Sequence, residues 1–325
     1  MNTKNKGLFF GLFSGFTWAV DTILIGIVLA KALFVSSDTV IFLAPLVSTF
    51  FHDLLSSFWM MVYMAFRGEL ITSFKKLATR SGRFVVLGAL LGGPIGMTGY
   101  VLAVKYLGAS LSASISAIYP AIGAFFAFLI LKDRLTLKNW IGLFISILFI
   151  FILGFAGGEP SPSFILGFSF ILLCIFGWGM ECVILAYGMK DDEITPEQAL
   201  QIRQVVSAVA YAVLILPFFN AYPLVGEVFK SSEVFLIAGV ALSGTASYVY
   251  YYKAIYVMGP TRAMALNITY AAWAIILSFM ILGTPITLKQ VLCSIMILLG
   301  SILTVATQDE LKWMNLIKGR STAKL

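Results

Sequence analysis

Phe16-Thr17-Trp18-Ala19-Val20-Asp21 and Phe176-Gly177-Trp178-Gly179-Met180-Glu181 carry one polar pattern twice, each near the middle of a long apolar run. In both, a carboxylate follows a tryptophan by three residues, a spacing that puts the two on one face of a helix. The surrounding runs continue for about 20 residues, long enough to cross a hydrocarbon layer. A carboxylate at the centre of a bilayer costs at least ~2.5–3.5 kcal/mol and is seldom accidental. The fold is therefore decided here: apolar helices of a membrane protein that holds acid beside indole at mid-depth.

The whole chain agrees. Its 325 residues are 60% hydrophobic and 11% charged, with mean hydropathy +0.97. A soluble protein would carry about a quarter charged residues. The apolar runs predict ten spans: 8–30, 41–66, 84–104, 110–131, 138–155, 165–188, 197–219, 233–253, 261–282 and 288–307. The first run continues too far for a cleavable signal peptide. With the N-terminus inside, 17 of the 22 Lys and Arg fall in cytoplasmic segments, against Lys31, Lys105, Lys230 and Lys289 outside. That bias predicts a multi-pass protein of the cell membrane with both termini cytoplasmic. It also accounts for the +7 net charge, so nucleic acid is not implied as a partner. Cys174, Cys182 and Cys293 all lie in apolar runs, and no disulfide, metal site or cofactor is expected.

The two halves correspond. An offset of 151 brings Gly93 onto Gly244, Tyr100 onto Tyr251, Tyr119 onto Tyr270 and His52 onto Arg203. Near the first span the offset is 160, pairing Trp18 with Trp178 and Asp21 with Glu181. Five spans per copy is odd, so the second copy enters the membrane inverted. The expected fold is all-α: repeats at 1–155 and 156–310, then a cytoplasmic tail at 311–325. Inverted repeats of this kind build transporters with the substrate site at mid-membrane.

Polar residues inside the spans are few. Glu181 is read as the counter-charge of a cationic substrate, or as a partner of Arg203. Asp21 is its twin. His52, the single histidine, titrates in the physiological range when unperturbed and could line the site or couple protons. Asp53 points away from it and suits a structural pair with Arg203, itself a snorkelling or acid-pairing group. Asp21, Asp53 and Arg203 are thus coupling or structural charges. Trp18, Trp178, Tyr119 and Trp273 map to mid-span, where an aromatic cage suits an organic cation. Asn267, Tyr270 and Trp273 recur every three residues, and Tyr248 with Tyr251 adds a second stripe. The glycine string at 91–96 should bend its span, and the small-residue string from Ser110 suits close helix contact.

The strings F-H-D-L-L-S at 51–56, G-G-P-I-G-M at 92–97, A-V-K-Y-L-G-A-S-L at 103–111 and S-A-I-Y-P-A at 116–121 carry a family resemblance. G-W-G-M-E at 177–181, I-R-Q-V at 202–205 and L-N-I-T-Y-A-A-W at 266–273 continue it. On them the chain resembles the EamA-type drug/metabolite transporter superfamily, and within it the Lic-type bacterial choline permeases. The resemblance implies import of choline, or a close quaternary ammonium cation, across a bacterial inner membrane by alternating access. The implied site is Trp18, His52, Tyr119, Trp178, Glu181, Tyr270 and Trp273, with Tyr248, Tyr251 and Asn267 beside them. A monomer or weak dimer is expected. The alternatives are an exporter of amino acids, metabolites or organic cations, and, more remotely, a membrane enzyme using His52-Asp53. An enzyme would need its reactive group near the headgroups, whereas His52 maps to mid-span. The protein is expected not to be an enzyme.

Overall fold

The computed structural model describes residues 3–107, 112, 115–116, 118–154, 164–191, 193–283 and 285–305. The tail expected at 311–325, the start of the span expected from 110 and most of the small-residue string there lie outside the described residues.

Among the described residues the chain is helical throughout, without strands. Seven helices are long and apolar enough to cross a membrane. They are α1 (Asn5–Leu29), α2 (Asp38–Phe66), α3 (Arg80–Leu107), α6 (Phe164–Met189), α7 (Pro196–Phe218), α8 (Glu233–Met258) and α9 (Pro260–Leu282). Three shorter apolar helices stand between or after them: α4 (Tyr119–Leu131), α5 (Leu137–Ile152) and α10 (Leu288–Thr304). Local chemistry sets the ends. Ser37 caps α2 by accepting the Val40 N–H at 3.2 Å. Thr195 and Gln198 form a reciprocal capping box at α7, with Pro196 in the first turn, where its missing N–H costs nothing. Between α8 and α9, Gly259 takes φ +84°, a conformation side chains resist, and Pro260 starts the next helix.

Helix α8 runs to Met258, five residues beyond the expected 253. Lys253 lies within it, its ammonium group 3.1 Å from Glu197, and the helix ends where Gly259 and Pro260 stop it. Two helices are not uniform. In α3 the turns over Leu91–Met97 are wound as a π-helix around Pro94, which cannot donate to the ladder. Helix α9 breaks at Ile268 and Thr269, between segments ending at Asn267 and starting at Tyr270.

The packing mirrors itself between the halves. Helix α1 lies against α8 and α9, and α6 lies against α3 and α4. Helix α2 meets α7 and α8, while α7 meets α2 and α3. Helices α5 and α10 pack on each other, with Ser146 donating to the Ile297 carbonyl and the Asn139 amide to that of Thr304. Each first helix of a half is thus embedded in the opposite half. Two apolar clusters form at opposite ends of the bundle. One gathers Leu46, Phe51, Tyr211, Leu224 and Ile237; the other gathers Met60, Met64, Leu185, Tyr252 and Met264. The polar side chains form a layer between them.

Candidate functional site

That layer surrounds a cavity of ≈ 700 Å³, within the range of small-molecule sites. It runs from mid-bundle toward the helix ends that carry Leu29, Asp38 and Lys105. Trp18, His52, Tyr119, Trp178, Glu181, Tyr248, Tyr251, Asn267 and Tyr270 all line it, as do Asp21, Asp53 and Arg203. Nearly every residue singled out in the sequence is brought together.

Trp273 is placed elsewhere. The break in α9 falls between Asn267 and Tyr270, so Asn267 does not share a continuous helical face with Tyr270 and Trp273, which both belong to the segment starting at Tyr270. The Trp273 indole packs edge-on against Phe16, ring centres 5.6 Å apart, in a cluster with Ala19, Ile23 and Leu277.

Charge is arranged around Arg203, which is only 3% exposed. Its Nε donates to Glu181 at 3.0 Å, and its Nη1 donates to Asp53 at 3.0 Å and to Gln204 at 2.8 Å. Its Nη2 meets the Tyr248 hydroxyl at 3.3 Å, and the guanidinium lies 4.8 Å from the centre of that ring. Ser207, one turn on, donates to the second oxygen of Asp53 at 2.5 Å. A buried guanidinium is stable only when its donors find acceptors, and here two carboxylates, an amide and a ring supply them.

The second ionic pair is simpler. His52 Nε2 lies 3.1 Å from Asp21, and its Nδ1 is 3.7 Å from Asp53. No Lys or Arg reaches Asp21 among the described residues. Glycines make both pairs sterically possible. A Cβ on Gly92 would fall 1.8 Å from a Glu181 carboxylate oxygen, and one on Gly244 would fall 2.2 Å from His52 Nε2. A side chain at either position would therefore have to displace the Glu181 carboxylate or the His52 ring from its observed pairing.

The aromatic wall has two parts. Trp178 contacts Tyr100 at 5.4 Å and Tyr119 at 5.9 Å between ring centres, and Trp18 stands edge-on to Tyr248 at 5.3 Å. Tyr251 is held by Cys182, whose sulfur is 3.0 Å from the hydroxyl. Asn267 donates to Ser14 at 3.2 Å, fixing α9 against α1 just before the helix break. Ser207, Gln204, Tyr100 and Cys182 were not singled out as site residues in the sequence. Tyr100 carried a signal, since it corresponds to Tyr251, and Ser207 follows Arg203 by four residues. Nothing local marks Gln204 or Cys182.

Four carboxylates face the cavity: Asp21, Asp38, Asp53 and Glu181. They stand against two permanent cations, Lys105 and Arg203, and His52. Whether His52 is neutral or charged, the formal sum of these groups is negative. An apolar, aromatic and net-negative chamber selects cations that tolerate loss of water.

The sequence model of the EamA-like transporter family matches this chain twice, over residues 5–155 and 165–306. Protein LicB of Haemophilus influenzae is 34% identical over 226 residues, covering 70% of this chain and 76% of that protein. A solved crystal structure superposes with TM-score 0.67 over 94% of this chain and 97% of its own. At 14% identity it shows likeness of fold alone.

Proposed function

We propose that this chain, which belongs to the EamA-like transporter family, imports choline or a closely related quaternary ammonium cation. The observation carrying the reading is the chamber itself, in which indole and phenol rings surround a space with excess carboxylate. A trimethylammonium group spreads its charge over methyls and sheds water readily. A desolvated cation–π contact is worth ~2 kcal/mol. Three such faces plus one carboxylate reach the roughly −8 kcal/mol of micromolar binding after ordering and desolvation are subtracted. Sodium keeps its tighter hydration shell and is left in water.

In this reading the ten apolar helices are ten spans, arranged as inverted repeats at 1–155 and 156–310, with a cytoplasmic tail at 311–325. Both termini are cytoplasmic, so the helix ends at Leu29, Asp38 and Lys105 face outward. Beneath the cavity floor the buried cluster of Met60, Met64, Leu185, Tyr252 and Met264 closes the inner side. The resting state is outward-facing, and transport rocks one half against the other. Trp18, Tyr119, Trp178, Tyr248, Tyr251 and Tyr270 form the cage, and Asn267 holds its floor. Glu181 supplies the counter-charge, while Asp53 and Arg203 fix its position. Trp273 supports the cage from behind, through Phe16. Inward movement of one positive charge gains ~2.3 kcal/mol per 100 mV, so membrane potential suffices to drive uptake, and His52 leaves room for proton coupling. The cavity lies within one chain, and the monomer is the working unit.

The test is labelled-choline uptake into proteoliposomes with an imposed inside-negative potential and equal pH on both sides. Accumulation that collapses with the potential supports the reading. Absence of both uptake and choline binding by the purified protein overturns it.

A further inference from the structure

We propose that Asp21 is a docking point for cations that carry N–H donors, so that the substrates extend to protonated amines. The inference rests on the reading that this cavity takes organic cations, and it assigns their donor-bearing end to one carboxylate.

The argument starts from the two halves of the chamber. The second half already holds an organic cation of its own. Arg203 fills Glu181 and Asp53 with N–H donors and covers the Tyr248 ring. Glu181 and Asp53 therefore have less to offer an incoming N–H group. The first half has the corresponding parts without the built-in cation. Asp21 is 5% exposed and lines the cavity beside Trp18 and Asn267. Its one ionic partner among the described residues is His52, at 3.1 Å to a single oxygen, Oδ1. Imidazole stands where the other half has guanidinium, and it is the shorter group with fewer donors. The cavity thus presents a buried carboxylate whose second oxygen is free of ionic partners.

Such a group discriminates by chemistry. A carboxylate forms its strong, short contacts with charged N–H donors. A quaternary ammonium has none and keeps its charge behind methyl groups. The ring wall of Trp178, Tyr100 and Tyr119 makes no such distinction, because it senses charge and apolar surface. Asp21 therefore adds affinity for primary, secondary and tertiary amines in their protonated form, and adds little for choline.

The experiment measures binding of choline, 2-(dimethylamino)ethanol and ethanolamine to the purified full chain at pH 7, where both amines are protonated. In the unmodified protein, dimethylaminoethanol is expected to bind at least as tightly as choline. In Asp21→Asn its affinity falls about thirtyfold, the loss of a charge-assisted hydrogen bond, while choline falls about threefold. Asp21→Glu restores the amine preference, and choline binding by each variant reports that it is folded. Choline binding without amine binding, or equal losses in Asp21→Asn, overturns the assignment and leaves the choline reading intact. Amine binding without choline binding supports Asp21 and sinks the choline reading. Binding of neither sinks both.

Discussion

Glu181–Arg203 and Asp21–His52 occupy corresponding places in the two halves, at 3.0 and 3.1 Å, yet they are built for different purposes. The first is permanent. Guanidinium stays charged at every accessible pH, and five partners including Ser207, through Asp53, lock it in place. The second has one close contact, at 3.1 Å, and an imidazole with fewer donors than a guanidinium. One pair is therefore held from many sides, and the other from few. Part of the asymmetry lies in two adjacent positions, where the first half has His52 and Asp53 and the second has Arg203 and Gln204.

The largest effect should come from cutting the locked pair. Arg203→Ala strands Asp53 and Glu181 as buried charges and should cost about 3–5 kcal/mol. Thermal unfolding in detergent would show it. An unfolding midpoint lowered no further than in His52→Ala would erase the distinction between the pairs.

Next come the glycines beneath each pair. Gly92→Ala and Gly244→Ala each force a carboxylate–cation contact apart, an overpacking of about 1–3 kcal/mol. Both should lower the unfolding midpoint in detergent and, on the proposed function, reduce uptake of labelled choline. If Gly244→Ala transports normally, Asp21 and His52 do not need their observed arrangement.

A milder change sharpens the comparison. His52→Gln keeps an N–H donor for Asp21 and should cost less than about 1.5 kcal/mol. A loss as large as that from Arg203→Ala would mean the histidine is also structural.

The smallest effect lies outside the membrane layer and serves as a baseline. Glu193 accepts the Ser81 backbone N–H at 3.2 Å. Hydrogen bonding by the Ser81 side chain first, and its backbone second, holds this carboxyl below its ordinary value of 4.5. A depressed folded value means the stabilisation is complete above the unfolded value and is lost as pH falls through the folded one. Glu193→Gln should therefore lower the unfolding midpoint slightly at pH 7, with the difference vanishing below the carboxylate range.

Much of this was legible in the chain. Hydropathy announced the apolar helices, because a bilayer admits little else, and the membrane-spanning character follows from length and composition. Trp18, Asp21, His52, Trp178, Glu181 and Arg203 stood out because polar groups are costly at that depth, and all six line the cavity. Trp273 stood out by the same logic and is placed in packing instead. The stripe assumed one helix running on from Asn267, whereas the helix is interrupted at Ile268–Thr269, and the packing of α1 puts Phe16 against the Trp273 indole. The contact between Lys253 and Glu197, 56 positions apart in sequence and 3.1 Å apart in space, left no sign in the chain, because it joins two helices remote in sequence.

The sequence by itself determined the class of fold, the correspondence of the halves and the inventory of groups that could handle a cation. Composition and period fix these, since solvation energy is a property of each side chain alone. The chain offered Arg203 either Glu181 or Asp53, and only the tertiary structure decided that it takes both. Arg203 chose Glu181 and Asp53, leaving Asp21 to His52, through the crossing of α2, α3, α6 and α7 at Gly92 and Gly93. Pairing depends on distance between segments remote in sequence, and distance is set by how closely backbones approach.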